Sequence, residues 1–219
     1  MVGRLLLLLI MAGVLVAVFV LPPPQQAIGA ASRIFYLHIP QAWIAVLAFA
    51  LAMVYSIRYL KRRSLDDDDR AAEAARLGLL FSILSTVTGS IFARVTWGSF
   101  WNWDPRETSI LVLVLIYGAY FALRGAVDDR TRRAALSAVY AVFAFLSVPF
   151  LVFVVPRVMP SLHPSDSIVD SGLNMSLSGS VALVLSLSLA AFTWLFLWLW
   201  WLGTRLRRLE RVEREDEES

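Results

Sequence analysis

The residues best suited to chemistry gather in one octapeptide, WGSFWNWD, from Trp97 to Asp104. Three of the chain's eight tryptophans, Trp97, Trp101 and Trp103, fall within it, with Phe100 among them. At about 100° per residue these four rings share one helical face, roughly 160° wide. A short interfacial helix here would present a broad aromatic plate, with Gly98, Ser99 and Asn102 pointing elsewhere. Such a plate can stack on a flat apolar ligand while neighbouring guanidinium groups pair with carboxylates on the ligand's edge. The plainer reading is an aromatic belt that anchors helices at the headgroup level. It suits Trp194, Trp198, Trp200 and Trp201, just ahead of a basic tail, better than it suits the loop tryptophans beside charge.

The end of the segment has its own logic. Asp104-Pro105-Arg106-Glu107 reads as a helix start, with Asp104 as N-cap, Pro105 at the first helical position and Glu107 three residues after the cap. Capping alone accounts for Asp104 and Glu107. Arg106 is not needed for it and is free for another role.

Only two histidines exist, His38 in His38-Ile39-Pro40 and His163 in His163-Pro164. A lone histidine on an apolar face is commonly a packed core residue. Here both fall in outward loops at the edges of apolar runs, and a proline follows each and stiffens the backbone. Two imidazoles on one side of a membrane, flanking an aromatic plate, can supply both axial ligands of an iron porphyrin. Structural zinc fits less well, because it usually takes four ligands and the chain has no cysteine. A covalent heme attachment needs C-x-x-C-H and is excluded for the same reason. Arg33, Arg94, Arg106 and Arg157 lie near the histidines or the plate. They are either ordinary charge at the headgroups or partners for two propionates.

The elements that must position these residues are membrane helices. The chain is 58% hydrophobic with a mean hydropathy of +0.68, too apolar for a soluble domain of 219 residues. A bilayer core of roughly 30 Å needs about 20 apolar residues per helix. Continuous runs of that kind, rather than short alternating segments, predict an all-α fold with six spans near 4–21, 40–60, 74–95, 108–124, 134–155 and 175–202. The first run is long for a signal peptide and is expected to be a retained helix. All but four of the 20 Lys and Arg residues fall on one side, the exceptions being Arg33, Arg94, Arg106 and Arg157. The basic side is expected to be cytoplasmic, with both termini inside. Residues 1–204 then form the membrane domain, with outward loops 22–39, 96–107 and 156–174, and 205–219 form a charged cytoplasmic tail. The tail is expected to be amphipathic or frayed, near anionic lipid headgroups. The acidic run Asp66 to Asp69 reads as a solvated loop or, more sharply, a docking site for a cytoplasmic partner.

At this point WGSFWNWDPRET is similar to the tryptophan-rich motif of the heme-handling proteins of cytochrome c biogenesis. Together with RIFYLHIPQAW at 33–43, TGS at 88–90 and the His163 loop, it resembles the heme exporter protein C (CcmC) family. The resemblance runs from Arg33 to the sixth span. Phe100 and the WDPRET ending depart from it and lean toward the larger heme lyases, which have more spans and further histidines in the membrane.

The resemblance implies a non-enzymatic subunit of the bacterial inner membrane that holds heme b at the outer face. It implies His38 and His163 as axial ligands. Trp97, Gly98, Trp101, Trp103, Asp104 and Arg106 would cradle the heme; Arg33 and Arg94 join them as expected cofactor-binding residues from their outward position alone. It implies an ABC-type ATPase with its membrane subunits and a periplasmic heme chaperone as partners, and no nucleic acid. No Walker A sequence occurs, so nucleotide chemistry must belong to a partner. Two other readings stand beside it: a small transporter that moves its substrate itself, which would need ionisable residues at mid-membrane, and a heme lyase acting on apocytochrome c.

Overall fold

The computed structural model describes residues 2–23, 29–163, 177 and 179–217. It is all-α. Helix α1 is Val2–Val20, α2 is Phe35–Arg62 behind a 3-10 turn at Ala30–Ile34, α3 is Leu65–Trp97, and α4 is Pro105–Ala126. Helix α5 is Arg130–Pro149 and runs through a π-helical stretch, Phe150–Val154, into the short α6, Val155–Val158. Pro149 and Pro156 bracket that stretch, and neither offers an N–H to the helical ladder. The last helix, α7, is Gly179–Glu217. Among the described residues, six segments are long and apolar enough to cross a membrane, so the expectation of a six-span polytopic protein holds.

Local chemistry sets the helix ends. Asp104 and Asp129 cap α4 and α5 by accepting from the backbone N–H groups of Arg106 and Arg132. Helices α2 and α3 stop at Arg63 and Gly98, which adopt the left-handed conformation of a C-terminal cap. Between them the core is built from small and aromatic residues. Ala45, Ala48, Ala52, Ala74 and Ala75 let α2 and α3 approach closely, and Phe49 stacks on Tyr117 of α4 with centroids 3.5 Å apart. A second cluster, with Val14, Val18, Tyr36, Val184 and Leu185, holds α1 against α7 and the start of α2.

One end of the bundle is a lattice of ion pairs, which overturns the reading of Asp66 to Asp69 as a solvated loop. The acidic run is the first turn and a half of α3, and Asp67 and Asp68 are buried. Asp68 accepts two bonds from Arg124 at 2.7 and 2.9 Å, and Asp67 pairs with Arg58 at 3.2 Å. Arg211 reaches both Asp69, at 3.0 Å, and Asp66. Buried Glu73 accepts from Arg76 at 3.0 Å and from Arg207 at 2.9 Å. The tail from 205 is not frayed over its described part, since α7 continues as helix to Glu217. Four carboxylates in a row at a helix N-terminus are also placed favourably in its dipole. Charge neutralisation inside the chain removes the run as a free acidic docking site.

Candidate functional site

The other end of the bundle carries both histidines. His38 is not in an outward loop, because the span starts earlier than its apolar run: the 3-10 turn feeds directly into α2, and His38 lies in that helix's first turn. Its half-buried ring rests on Gly89 of α3, where a Cβ would stand 2.9 Å from His38 Cε1. His38 Nδ1 lies 3.1 Å from the Ser85 carbonyl oxygen and 3.2 Å from Thr88 Oγ1. A carbonyl can only accept, so Nδ1 carries the proton and Nε2 keeps its lone pair. Thr88 Oγ1 in turn stands 3.0 Å from Gln41 Oε1, to which it can donate.

His163 is held by Asp104. The carboxylate is buried at the start of α4 and serves two purposes at once. Its Oδ1 takes the Arg106 N–H at 2.9 Å and lies 3.0 Å from His163 Nδ1. Its Oδ2 accepts from Ser161 Oγ at 2.8 Å and from the Leu162 N–H at 2.7 Å. Burial alone would raise the Asp104 carboxyl. The hydrogen bonds from Arg106, Ser161 and Leu162, with the nearby His163, hold it below the usual carboxylate range. An ionised carboxylate also only accepts, so His163 is in the same tautomer as His38, with Nε2 the free lone pair. Burial pushes the His163 imidazole below its ordinary value against the opposing charge of Asp104, and Arg106 pushes it down further. The Trp97 ring meets the His163 ring edge-on at 4.7 Å. Both imidazoles sit against the final part of α3, His38 on Ser85 and Gly89 and His163 on Trp97.

The tryptophan segment is not a helix. Trp97 is the last residue of α3, Gly98 takes φ +82°, and residues 98–104 run as an irregular loop in which Trp103 takes φ +55°. Polar groups within the loop shape it. Ser99 Oγ donates to the Trp101 carbonyl at 2.9 Å, and the Asn102 N–H donates to Glu107 Oε2 at 2.7 Å. Glu107 also accepts from the Asp104 N–H, which completes the capping box expected from sequence. The loop therefore divides the expected plate. Trp97 turns inward to His163, while Trp101 and Trp103 pack edge-to-face at 5.8 Å with Trp103 73% exposed.

The arginines separate as well. Arg33 donates to the Val18 and Phe19 carbonyls at 3.3 and 3.1 Å, closing the end of α1. Arg94 donates to the Gly98 carbonyl and lies 5.6 Å from the Phe100 ring centre, so it braces the loop. Arg157 donates to the Phe153 carbonyl at 2.7 Å. Arg106 differs, because its Nε is buried without a hydrogen-bond partner among the described residues.

A family model described as heme exporter protein C matches residues 1–219. The chain belongs to the heme exporter protein C family. It is 34% identical over 152 residues to heme exporter protein C of Bradyrhizobium diazoefficiens, covering 69% of this chain and 57% of the relative. The Rhodobacter capsulatus protein of the same name is 34% identical over 155 residues, 66% of this chain and 64% of the relative. A putative cytochrome c biosynthesis ccmC-like mitochondrial protein of Marchantia polymorpha is 29% identical over 162 residues, 74% and 68%. The chain spans less than two thirds of the length of the two bacterial relatives. Family and spans together make it a multi-pass protein of the bacterial inner membrane.

The structure gives roles to Thr88 and Gly89, which the sequence offered only as part of a resemblance, and adds Ser85 and Ser161. Ser85 and Thr88 seat His38, Gly89 gives its ring room, and Ser161 docks the His163 segment onto Asp104. The signal available was the polar run Ser85-Thr86-Val87-Thr88-Gly89 in an otherwise apolar span. It marks a helix face that receives something polar, but not which partner.

Proposed function

We propose that this chain holds heme b at the outer end of its bundle, between His38 and His163, and hands it to a periplasmic heme chaperone for c-type cytochrome biogenesis. An ABC-type ATPase with its membrane subunits is the energy-using partner. One observation carries the reading: each histidine gives Nδ1 to an acceptor-only oxygen, the Ser85 carbonyl or the Asp104 carboxylate, and keeps the Nε2 lone pair. Metal-ligating histidines are held in this way, with the second ring nitrogen fixed to a carbonyl or carboxylate. Trp97 supplies an aromatic wall beside His163, and Arg106 supplies a cation with an unmet donor for a propionate. The exposed Trp103 and Phe100 form an outer rim where a recipient protein can approach. The relatives' names agree with heme as cargo and cytochrome c biosynthesis as destination.

A site that delivers its cargo must release it. Micromolar affinity corresponds to about −8 kcal/mol and nanomolar to about −12 kcal/mol. Binding near the weaker value, or a trigger from the partner, is required. The test is an absorption spectrum of the purified chain, oxidised and reduced. A six-coordinate low-spin heme spectrum is expected, and His38→Ala and His163→Ala should each shift the Soret band and lower heme content. Unchanged heme content in the double variant would sink the reading.

A further inference from the structure

A groove opens on the lipid-facing surface between the start of α1 and the inner half of α7, lined by Gly3, Trp194, Leu197, Trp198 and Trp201. The four α7 residues follow the spacing i, i+3, i+4, i+7, so they form one stripe along the helix. The same stripe continues at Arg205 and Arg208. The Arg205 guanidinium lies 5.7 Å from the centre of the Trp201 ring. Arg4 follows Gly3 on the opposite wall.

The charges at the mouth differ from their neighbours. Arg207 and Arg211, on the adjoining face of α7, are paired with Glu73, Asp69 and Asp66. Among the described residues, Arg4 and Arg205 have no acidic partner, and Arg208 stands 3.8 Å from Asp66 with its side chain 65% exposed. The groove is therefore a shallow apolar surface lined by indole rings, with Arg4 and Arg205 unpaired near one end and Arg208 only loosely paired. Gly3 contributes no side chain, and a Cβ there would meet nothing within 4 Å.

Any membrane protein is coated with lipid, but a concave apolar wall ending in cations selects for one charge type. We infer that this groove is a binding site for an anionic phospholipid, with an acyl chain along Trp194, Trp198 and Trp201 and the phosphate among Arg4, Arg205 and Arg208. Basic residues next to a membrane helix end favour anionic headgroups by about 1 kcal/mol each, roughly fivefold in occupancy. Indoles favour this interfacial depth because one edge is apolar and the other polar. The site lies at the opposite end of the bundle from His38 and His163, and the inference does not depend on the heme reading.

The test is native mass spectrometry of the purified full chain in detergent, with equimolar phosphatidylglycerol and phosphatidylcholine of matched chains. One tightly retained phosphatidylglycerol per chain is expected. Arg205→Gln with Arg208→Gln should lower its retention at least tenfold. Gly3→Leu, which fills the groove from the other wall and leaves every cation in place, should also displace it. Equal retention of both lipids by the wild type would overturn the inference. So would wild-type retention of phosphatidylglycerol in both variants, or a co-purifying polypeptide crosslinked to a photoreactive residue at position 198.

Discussion

Asp104 Oδ1 stands 3.0 Å from His163 Nδ1, joining two residues 59 positions apart. The same carboxylate caps α4 through the Arg106 N–H and binds Ser161 and Leu162. Helix start and histidine mount are thus one object. The orientation of His163 is set by the end of a membrane helix instead of by the conformation of its own loop.

Asp104→Asn keeps the side chain's shape but turns one acceptor oxygen into a donor. It then cannot satisfy the Leu162 N–H, Ser161 Oγ and His163 Nδ1 together. Outer partners of a ligating histidine are worth about 10–100-fold in affinity. Heme affinity, measured by spectrophotometric titration, should fall by that order while helix content stays at the wild-type level. Wild-type affinity would mean that His163 does not need Asp104.

The pH dependence follows from the direction of the His163 shift. The neutral imidazole is the ligating form, and burial holds the His163 value below the ordinary one near 6.5. Heme affinity should therefore be flat from pH 8 to about pH 7 and weaken only as pH falls through the depressed value. Titrations across pH 5–8 decide this. A decline already complete by pH 7 would place the imidazole on the raised side.

Gly89→Ala sets two effects against each other. Alanine in a helix interior is favoured over glycine by about 1 kcal/mol. The added Cβ would sit 2.9 Å from His38 Cε1, closer than carbon atoms pack, so the ring must move off the Ser85 carbonyl. Thermal stability should hold or rise while the low-spin heme signal weakens in electron paramagnetic resonance. An unaltered signal would show that the His38 seat has slack.

The opposite end should respond differently. Asp68→Ala leaves Arg124 buried without its bidentate partner, which costs about 3–5 kcal/mol. Replacing both with leucine removes the unpaired charge and should recover most of that loss. Thermal melts in detergent would compare them. Heme affinity measured below the melting range should not change in either variant, since the pair lies at the far end of the bundle.

Much of this was legible in the residues. The six apolar runs gave the spans, and Asp104, Pro105 and Glu107 announced a capping box that the structure contains. These are local properties, set by hydropathy and by contacts within a turn. The helical reading of WGSFWNWD failed because a wheel assumes regular backbone, whereas Gly98 and Trp103 both take positive φ. Arg33 and Arg94 were grouped with the site by proximity in sequence. In the structure both act nearby as helix-end and loop braces, because an exposed backbone carbonyl is the closest acceptor to a long cation.

By itself, then, the sequence determined an all-α membrane protein, the sorting of its charges, the cap at Asp104 and the presence of two histidines with a tryptophan-rich segment between them. Only the tertiary structure decided that Asp104 also grips His163, that Ser85 and Gly89 seat His38, and that the Asp66 to Asp69 run is neutralised by arginines as far away as Arg124 and Arg211. The reason is physical. A buried donor or charge must find a partner, but its identity depends on which helix end packing brings within 3 Å, and no local pattern encodes that.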